Sequence, residues 1–292
     1  VALRSELGAT SLFVPVDIGV AEGGGDVWEP TDLSRGPWDP GACHGGAPAA
    51  LITRELERVA RPSTREGDAT IPMRLARVTI ELVRPVPTRP LRISAEVVRP
   101  GRKVGLLEAM LSTVDDGAVV AMARALRIRT ADVALHDGGP GGAAAHGLDD
   151  VAPPLPPTAS DVDTAMADYV GFHNGGTEHR FVRGSFHVPG PVFDWIRLAV
   201  PVVPDEEPSP WQRASAAADF GNGIASSVGF GEGLFINPDL TVHLWREPVG
   251  EWIGMESVMR TSNTGIGLSD SAMWDQQGRI GRGNQSLLLD EI

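Results

Sequence analysis

Cys43 and His44 stand side by side, and a thiol beside an imidazole is a pairing that can generate a nucleophile. Neighbours in sequence point apart, however, and no further His or Asn motif surrounds them, so no Cys–His mechanism is expected. His173 and His179, with Glu178 and Asp168, are metal-ligand residue types, but their spacing matches no zinc pattern and no metal site is expected. Gly221-Asn222-Gly223 is not a dinucleotide fingerprint, because it does not open a helix after a strand within a βαβ unit. Gly45-Gly46 opens a helical segment, where free N–H groups and the helix dipole favour a negative oxygen and glycine lets a ligand approach. Tight helix–sheet packing accounts for the same two glycines equally well, and His44 beside them reads as a packing residue or a carbonyl contact.

The elements that must position these residues occur twice. Val78–Arg84 and Leu240–Arg246 share an alternating pattern followed by a proline-bearing turn. Each is succeeded by another alternating run, Leu91–Arg99 and Trp252–Arg260, and then by a strand pair around a polar turn. Those pairs are Val104–Thr113 with Ala118–Arg129, and Ile266–Trp274 with Arg279–Leu289, joined by Asp115-Asp116-Gly117 and Asp275-Gln276-Gln277-Gly278. Upstream of each block lies one helix: 46–59, with Pro48 in its first turn and Leu51, Ile52, Leu56 and Val59 at helical spacing, and Trp211–Ala218, continuing less regularly toward Val228. Aromatic-rich extended pieces, Trp28–Trp38 and Phe181–Val200, precede the helices. Gly and Pro at 137–142 and 153–157 mark a linker. The expected units are 1–135, a linker at 136–165, and 166–292. Each helix must bury one face on its sheet, and edge-to-edge pairing of the two sheets would cover exposed strand edges.

Composition narrows the partners. With 292 residues, 42% hydrophobic and 22% charged, the chain suits one large or two ordinary globular domains. A net charge of -13 argues against non-specific nucleic-acid binding, which needs a basic surface. Lys103 is the single lysine among 25 basic residues, and Gly and Pro are abundant, a bias that reads as a GC-rich bacterial genome. The single cysteine excludes an intrachain disulfide and a Cys-based zinc site. No run approaches the ~18–20 apolar residues of a membrane span, and no signal-peptide pattern opens the chain, so a cytoplasmic location without membrane partners is expected.

The stretches Gly36–Leu51, Phe235–Leu244, Pro248–Trp252 and Asp275–Ser286 resemble the thioesterase-like superfamily, and specifically double-hotdog proteins similar to type II acyl-CoA thioesterases. The resemblance covers most of the chain from about Phe13 to Leu289, the linker excepted. It implies an α+β double hotdog, two tandem units each with an antiparallel sheet wrapped around one central helix, and a homo-oligomer. It also implies hydrolysis of acyl-CoA, or another acyl thioester, to free acid and thiol without a cofactor. The family's helix Asp, strand Thr and late-strand Gln fall on Asp219, Asn237 and Gln285, so the Thr is replaced by Asn here. Anchoring on Pro248 instead of Arg246 would shift that middle position to Pro238.

These residue types suit the implied chemistry, which needs an activated water and a donor for the developing oxyanion. Asp219 beside Ala216, Ala217, Ala218 and Phe220 would be partly desolvated, and the Asn237 and Gln285 amides can orient water. Binding of the thioester is expected at His44, Gly45 and Gly46, and binding of CoA phosphates at Arg99, Arg102 and Lys103, a basic cluster in an otherwise acidic chain. Arg124 stands opposite Gln285 in the repeat, which points to one degenerate site. Two other readings compete: a non-catalytic acyl-thioester binder, motivated by Asn237, and an enoyl-thioester hydratase or dehydratase, in which His44 and Asp219 would face each other across the repeat.

Overall fold

The computed structural model describes residues 8–17, 25–60, 71–133, 151–160, 169–229 and 231–291. Most of the expected linker and all of 161–168, Asp168 included, lie outside them.

In the first half, β1 (Phe13–Pro15) and β2 (Asp26–Pro30) lead through a short 3-10 turn into α1 (Gly46–Arg58). Four strands follow: β3 (Met73–Leu82), β4 (Leu91–Arg99), β5 (Val104–Thr113) and β6 (Val119–Arg129). The second half repeats the plan. Strands β7 (Thr177–Ser185) and β8 (Val188–Leu198) precede α2 (Pro210–Ala218) and a one-turn α3 (Gly221–Ile224). Then come β9 (Leu234–Ile236), β10 (Asp239–Leu244), β11 (Ile253–Thr261), β12 (Ile266–Asp275) and β13 (Gly278–Asp290).

All strands belong to one antiparallel sheet, ordered β1-β2-β4-β5-β6-β3-β10-β13-β12-β11-β8-β7, with β9 added against the end of β13. The order is a palindrome of the two halves about the β3–β10 pair. Thr241 pairs with Thr79 at that centre, their hydroxyls 3.3 Å apart and 162 positions apart in sequence. Across the helices, Thr53 Oγ1 donates to Ser215 Oγ at 2.8 Å, again at a separation of 162. Both pairs therefore lie on one pseudo-twofold axis relating residue i to residue i+162.

The helices sit together on one face of the sheet, α1 against β3, β4 and β5 and α2 against β8, β10 and β11. Helix α1 buries Leu51, Ile52 and Leu56, the residues whose helical spacing marked it. In α2, Ser209 caps the N-terminus by accepting from the Gln212 N–H at 3.1 Å, and Pro210 occupies a first-turn position where no N–H is needed. Gly46 brings the helices into close contact: a Cβ there would lie 2.6 Å from the Ala216 carbonyl oxygen.

Three expectations change. The long helix toward Val228 instead breaks at Asp219, the C-cap of α2, before α3. The extended segment at Phe181–Val200 is a hairpin, β7–β8. The residue facing Gln285 across the pseudo-axis is Ala125 rather than Arg124. Thr79 pairs with Arg124 and Thr241 with Asn284, so Arg124 corresponds to Asn284, and the second hairpin is two residues shorter. Arg124 instead pairs with Glu108 across the sheet, at 2.6 Å.

Candidate active site

The break between α2 and α3 puts Asp219 at the wall of a cavity of about 410 Å³. Its walls are mainly apolar, from Trp38, Val83, Val86, Phe186, Phe220 and Phe235, with few polar groups. That combination of volume and lining suits a small-molecule site.

Asp219 is 4% exposed and is held by three side chains from separate parts of the chain. Asn237, between β9 and β10, donates from Nδ2 to Asp219 Oδ1 at 2.9 Å. Gln285 on β13, 1% exposed, donates from Nε2 to the same oxygen at 3.3 Å and to the Asp219 carbonyl at 3.2 Å. His44, just before α1, brings Nδ1 to 2.9 Å from Asp219 Oδ2. Asn222 on α3 fixes both amides. Its backbone N–H donates to Gln285 Oε1 at 3.0 Å and its Nδ2 to Asn237 Oδ1 at 3.3 Å. With their oxygens held by donors, the amides of Asn237 and Gln285 must turn their NH₂ groups to the carboxylate.

The opening of α1 completes the site. A Cβ at Gly45 would lie 2.8 Å from both carboxylate oxygens of Asp219, so only glycine lets the carboxylate sit against this helix start. A negative group is favoured there by the helix dipole. His44 Nδ1 is also 3.1 Å from the Gly46 backbone nitrogen. One ring nitrogen cannot accept from Gly46 and donate to Asp219 at once, and beside an ionised carboxylate the proton belongs on Nδ1. The ring packs against Phe172 and Phe220 at tilts of 41° and 37°, with centroids at 5.0 and 4.4 Å.

Asp219, Asn237, Gln285, His44 and Gly45 thus converge, and Gly46 packs just behind them. Arg99, Arg102 and Lys103 do not join them. They occupy the β4–β5 turn, near the end of the sheet where Met73 pairs with Arg129 and the Arg129 N–H meets the Lys103 carbonyl. The cavity lies at the other end of β3, beside Leu82, Val83 and Arg84. The basic side chain in its lining is Arg84, which the sequence reading did not single out, while it weighed His173 only for a metal and Asn222 only within a dinucleotide fingerprint. Asn222 had a signal, since Gly221-Asn222-Gly223 interrupts a helical pattern.

Cys43 also lines the cavity, but burial pushes its thiol up to about 12, so it is a thiol and not a thiolate at neutral pH. Behind Phe220 lies a second polar chain. Thr177 donates to the Phe172 carbonyl at 2.8 Å and so accepts from His179 Nε2 at 3.0 Å. His179 Nδ1 lies 2.5 Å from Asp194 Oδ2, both residues fully buried. Burial raises the Asp194 carboxyl above its ordinary range.

The pseudo-axis gives this site a counterpart with different contents. Adding 162 relates Glu57 to Asp219 and Leu75 to Asn237, and the strand register relates Ala125 to Gln285. Glu57, Leu75 and Arg127 line a separate hollow with Trp211 and Glu247. One half holds an Asp with two amides, and the other a Glu with a leucine and an alanine.

Two family models match the chain: the acyl-CoA thioesterase N-terminal domain over residues 34–128 and the acyl-CoA thioesterase C-terminal domain over residues 149–289. The chain belongs to the acyl-CoA thioesterase family. It is a thioester hydrolase with the double-hotdog architecture. No curated protein matches it. Similar solved structures include a putative thioesterase II from Thermobifida fusca, 16% identical with a TM-score of 0.67, covering 97% of this chain and 96% of that one. A hot dog fold protein of unknown function from Alicyclobacillus acidocaldarius is 15% identical with a TM-score of 0.65, covering 93% and 95%. The acyl-CoA thioesterase II TesB2 of Mycobacterium marinum is 14% identical with a TM-score of 0.58, covering 100% and 98%. Among the described residues no helix is long and apolar enough to cross a membrane.

Proposed function

We propose that this thioesterase hydrolyses acyl-CoA with a water activated by Asp219, and the observation that carries the proposal is the buried Asp219 carboxylate held by Asn237, Gln285 and His44. Water gives a proton to Asp219 as its oxygen attacks the thioester carbonyl carbon. The oxyanion is stabilised at the opening of α1, where Gly45 lines the cavity. Collapse breaks the C–S bond, and the proton passes from Asp219 to the departing thiolate. Asn237 serves where the family's Thr stands, fixing the carboxylate by an amide N–H instead of a hydroxyl. The acyl chain lies along the wall formed by Trp38, Phe186, Phe220 and Phe235, and Arg84 at the rim meets a CoA phosphate.

Thiol release from acyl-CoA esters of acetyl to palmitoyl length tests this reading. Asp219→Asn is expected to lower kcat by ~10²-fold or more, as for loss of a general base. Undiminished turnover in that variant would remove Asp219 from the mechanism.

The 2.9 Å approach of His44 to Asp219 supports a second reading, hydration of an enoyl thioester by an Asp–His pair. Loss of the enoyl ultraviolet absorbance without thiol release from crotonyl-CoA would favour it.

A further inference from the structure

His173 has no part in the mechanism above, yet it lines the same cavity as Asp219 and His44. It is 1% exposed, and among the described residues neither ring nitrogen has a hydrogen-bond partner. A buried imidazole left unpaired is costly, and cavities hold such groups where a ligand or an ordered water completes them. The same cavity is walled by Val86, Phe186 and Phe220, which offer the ring no hydrogen bond. The ring belongs to the short π-helical turn Phe172–Gly176, and His44 packs against the neighbouring Phe172. His44 lies 2.9 Å from Asp219 and near enough to His173 for their charges to interact, so His173 faces the part of the cavity next to the reacting carbonyl.

Burial, with His44 and His179 nearby, pushes His173 down to about 3, so the ring is neutral at physiological pH. A neutral imidazole carries one N–H and one lone pair, so a partner that can both donate and accept matches it whichever nitrogen it meets. A hydroxyl suits either tautomer, since it donates and accepts.

Resting on the thioesterase reading of this cavity, we infer that His173 is a specificity-determining residue that selects acyl thioesters bearing a hydroxyl on one of the first carbons of the chain. A plain alkyl chain leaves the imidazole unpaired, whereas a hydroxylated chain completes it, and a site built for a hydroxyl discriminates against its absence.

The test compares decanoyl-CoA with 2- and 3-hydroxydecanoyl-CoA in the unmutated enzyme, His173→Leu and His173→Gln. One hydrogen bond to a neutral partner corresponds to a preference of roughly five- to tenfold in kcat/KM for one hydroxy ester. His173→Leu is expected to reverse that ratio, and His173→Gln, which keeps a donor and an acceptor, to retain part of it. Each ratio is taken within one protein, so a general loss of stability cancels. The same comparison is made by calorimetric binding of the corresponding thioether analogues, which needs no turnover. Failure of every ester to release thiol would count against the thioesterase reading, while the binding ratios alone decide the role of His173. Equal ratios in the unmutated enzyme and His173→Leu would overturn the inference and leave His173 a residue satisfied by water.

Discussion

At the scale of single residues, the site is defined less by which groups are present than by which of their atoms are already engaged. Asn237 and Gln285 were expected to orient water; their NH₂ groups hold the Asp219 carboxylate, and Asn222 holds their oxygens. Removing Asn222 should therefore harm catalysis without touching the carboxylate. Asn222→Ala is expected to lower kcat about tenfold with little change in KM, measured by thiol release. Cys43 behaves as an inert wall. With its thiol held up to about 12, alkylation by iodoacetamide at pH 8 should be slow in the native enzyme and fast in denaturant. His173 gives a pH signature. Its folded-state value near 3 lies below the ordinary 6.5, so stability is full above pH 6.5 and lost as pH falls from there toward 3. Urea midpoints for His173→Leu should decline less than those of the parent over that window.

At the scale of elements, two adjacent glycines at the start of α1 have separate tasks. Gly45 gives way to the Asp219 carboxylate, and Gly46 to the Ala216 carbonyl of α2 and the ring of Phe172. Gly45→Ala should displace the carboxylate and cost activity with a near-normal melting temperature. Gly46→Ala should push the helices apart and cost about 1–3 kcal/mol of stability, read from denaturant unfolding. Close packing thus requires glycine at both positions, against a different neighbour at each. The short strand β9 is the element that delivers Asn237: Phe235 is buried on β13 while Asn237 turns inward just before β10.

At the scale of the whole molecule, the pseudo-twofold doubles the scaffold but not the site. Glu57 takes the place of Asp219, and Leu75 and Ala125 stand in place of the two amides. Glu57 instead accepts from Ser209 Oγ at 2.7 Å and Gln212 Nε2 at 3.2 Å, and burial raises its carboxyl above the ordinary range. Stability that a raised carboxyl contributes is present below its unfolded value and lost as pH rises through the folded one. Glu57→Gln keeps both hydrogen bonds and removes that loss. It is expected to leave thiol release unchanged and to raise the melting temperature at pH 8. Binding of a thioether analogue should saturate at one equivalent per chain.

Sequence by itself determined the repeat, the helix at Gly46–Arg58, and the β4, β5 and β6 strands nearly to the residue. Those follow from periodicity, turn chemistry and local motifs, which are properties of short stretches. Tertiary structure decided that His44 and Asp219 do meet, a facing that the sequence offered only within the hydratase reading, that Asn222 locks the amides, and that the Arg99–Lys103 turn lies away from the cavity while Arg84 borders it. It also corrected Arg124 to Ala125 as the counterpart of Gln285, because a two-residue difference between hairpins shifts the register. Distances across a sheet depend on register and strand order, and residues 162 apart become neighbours only when the two halves close about their common axis.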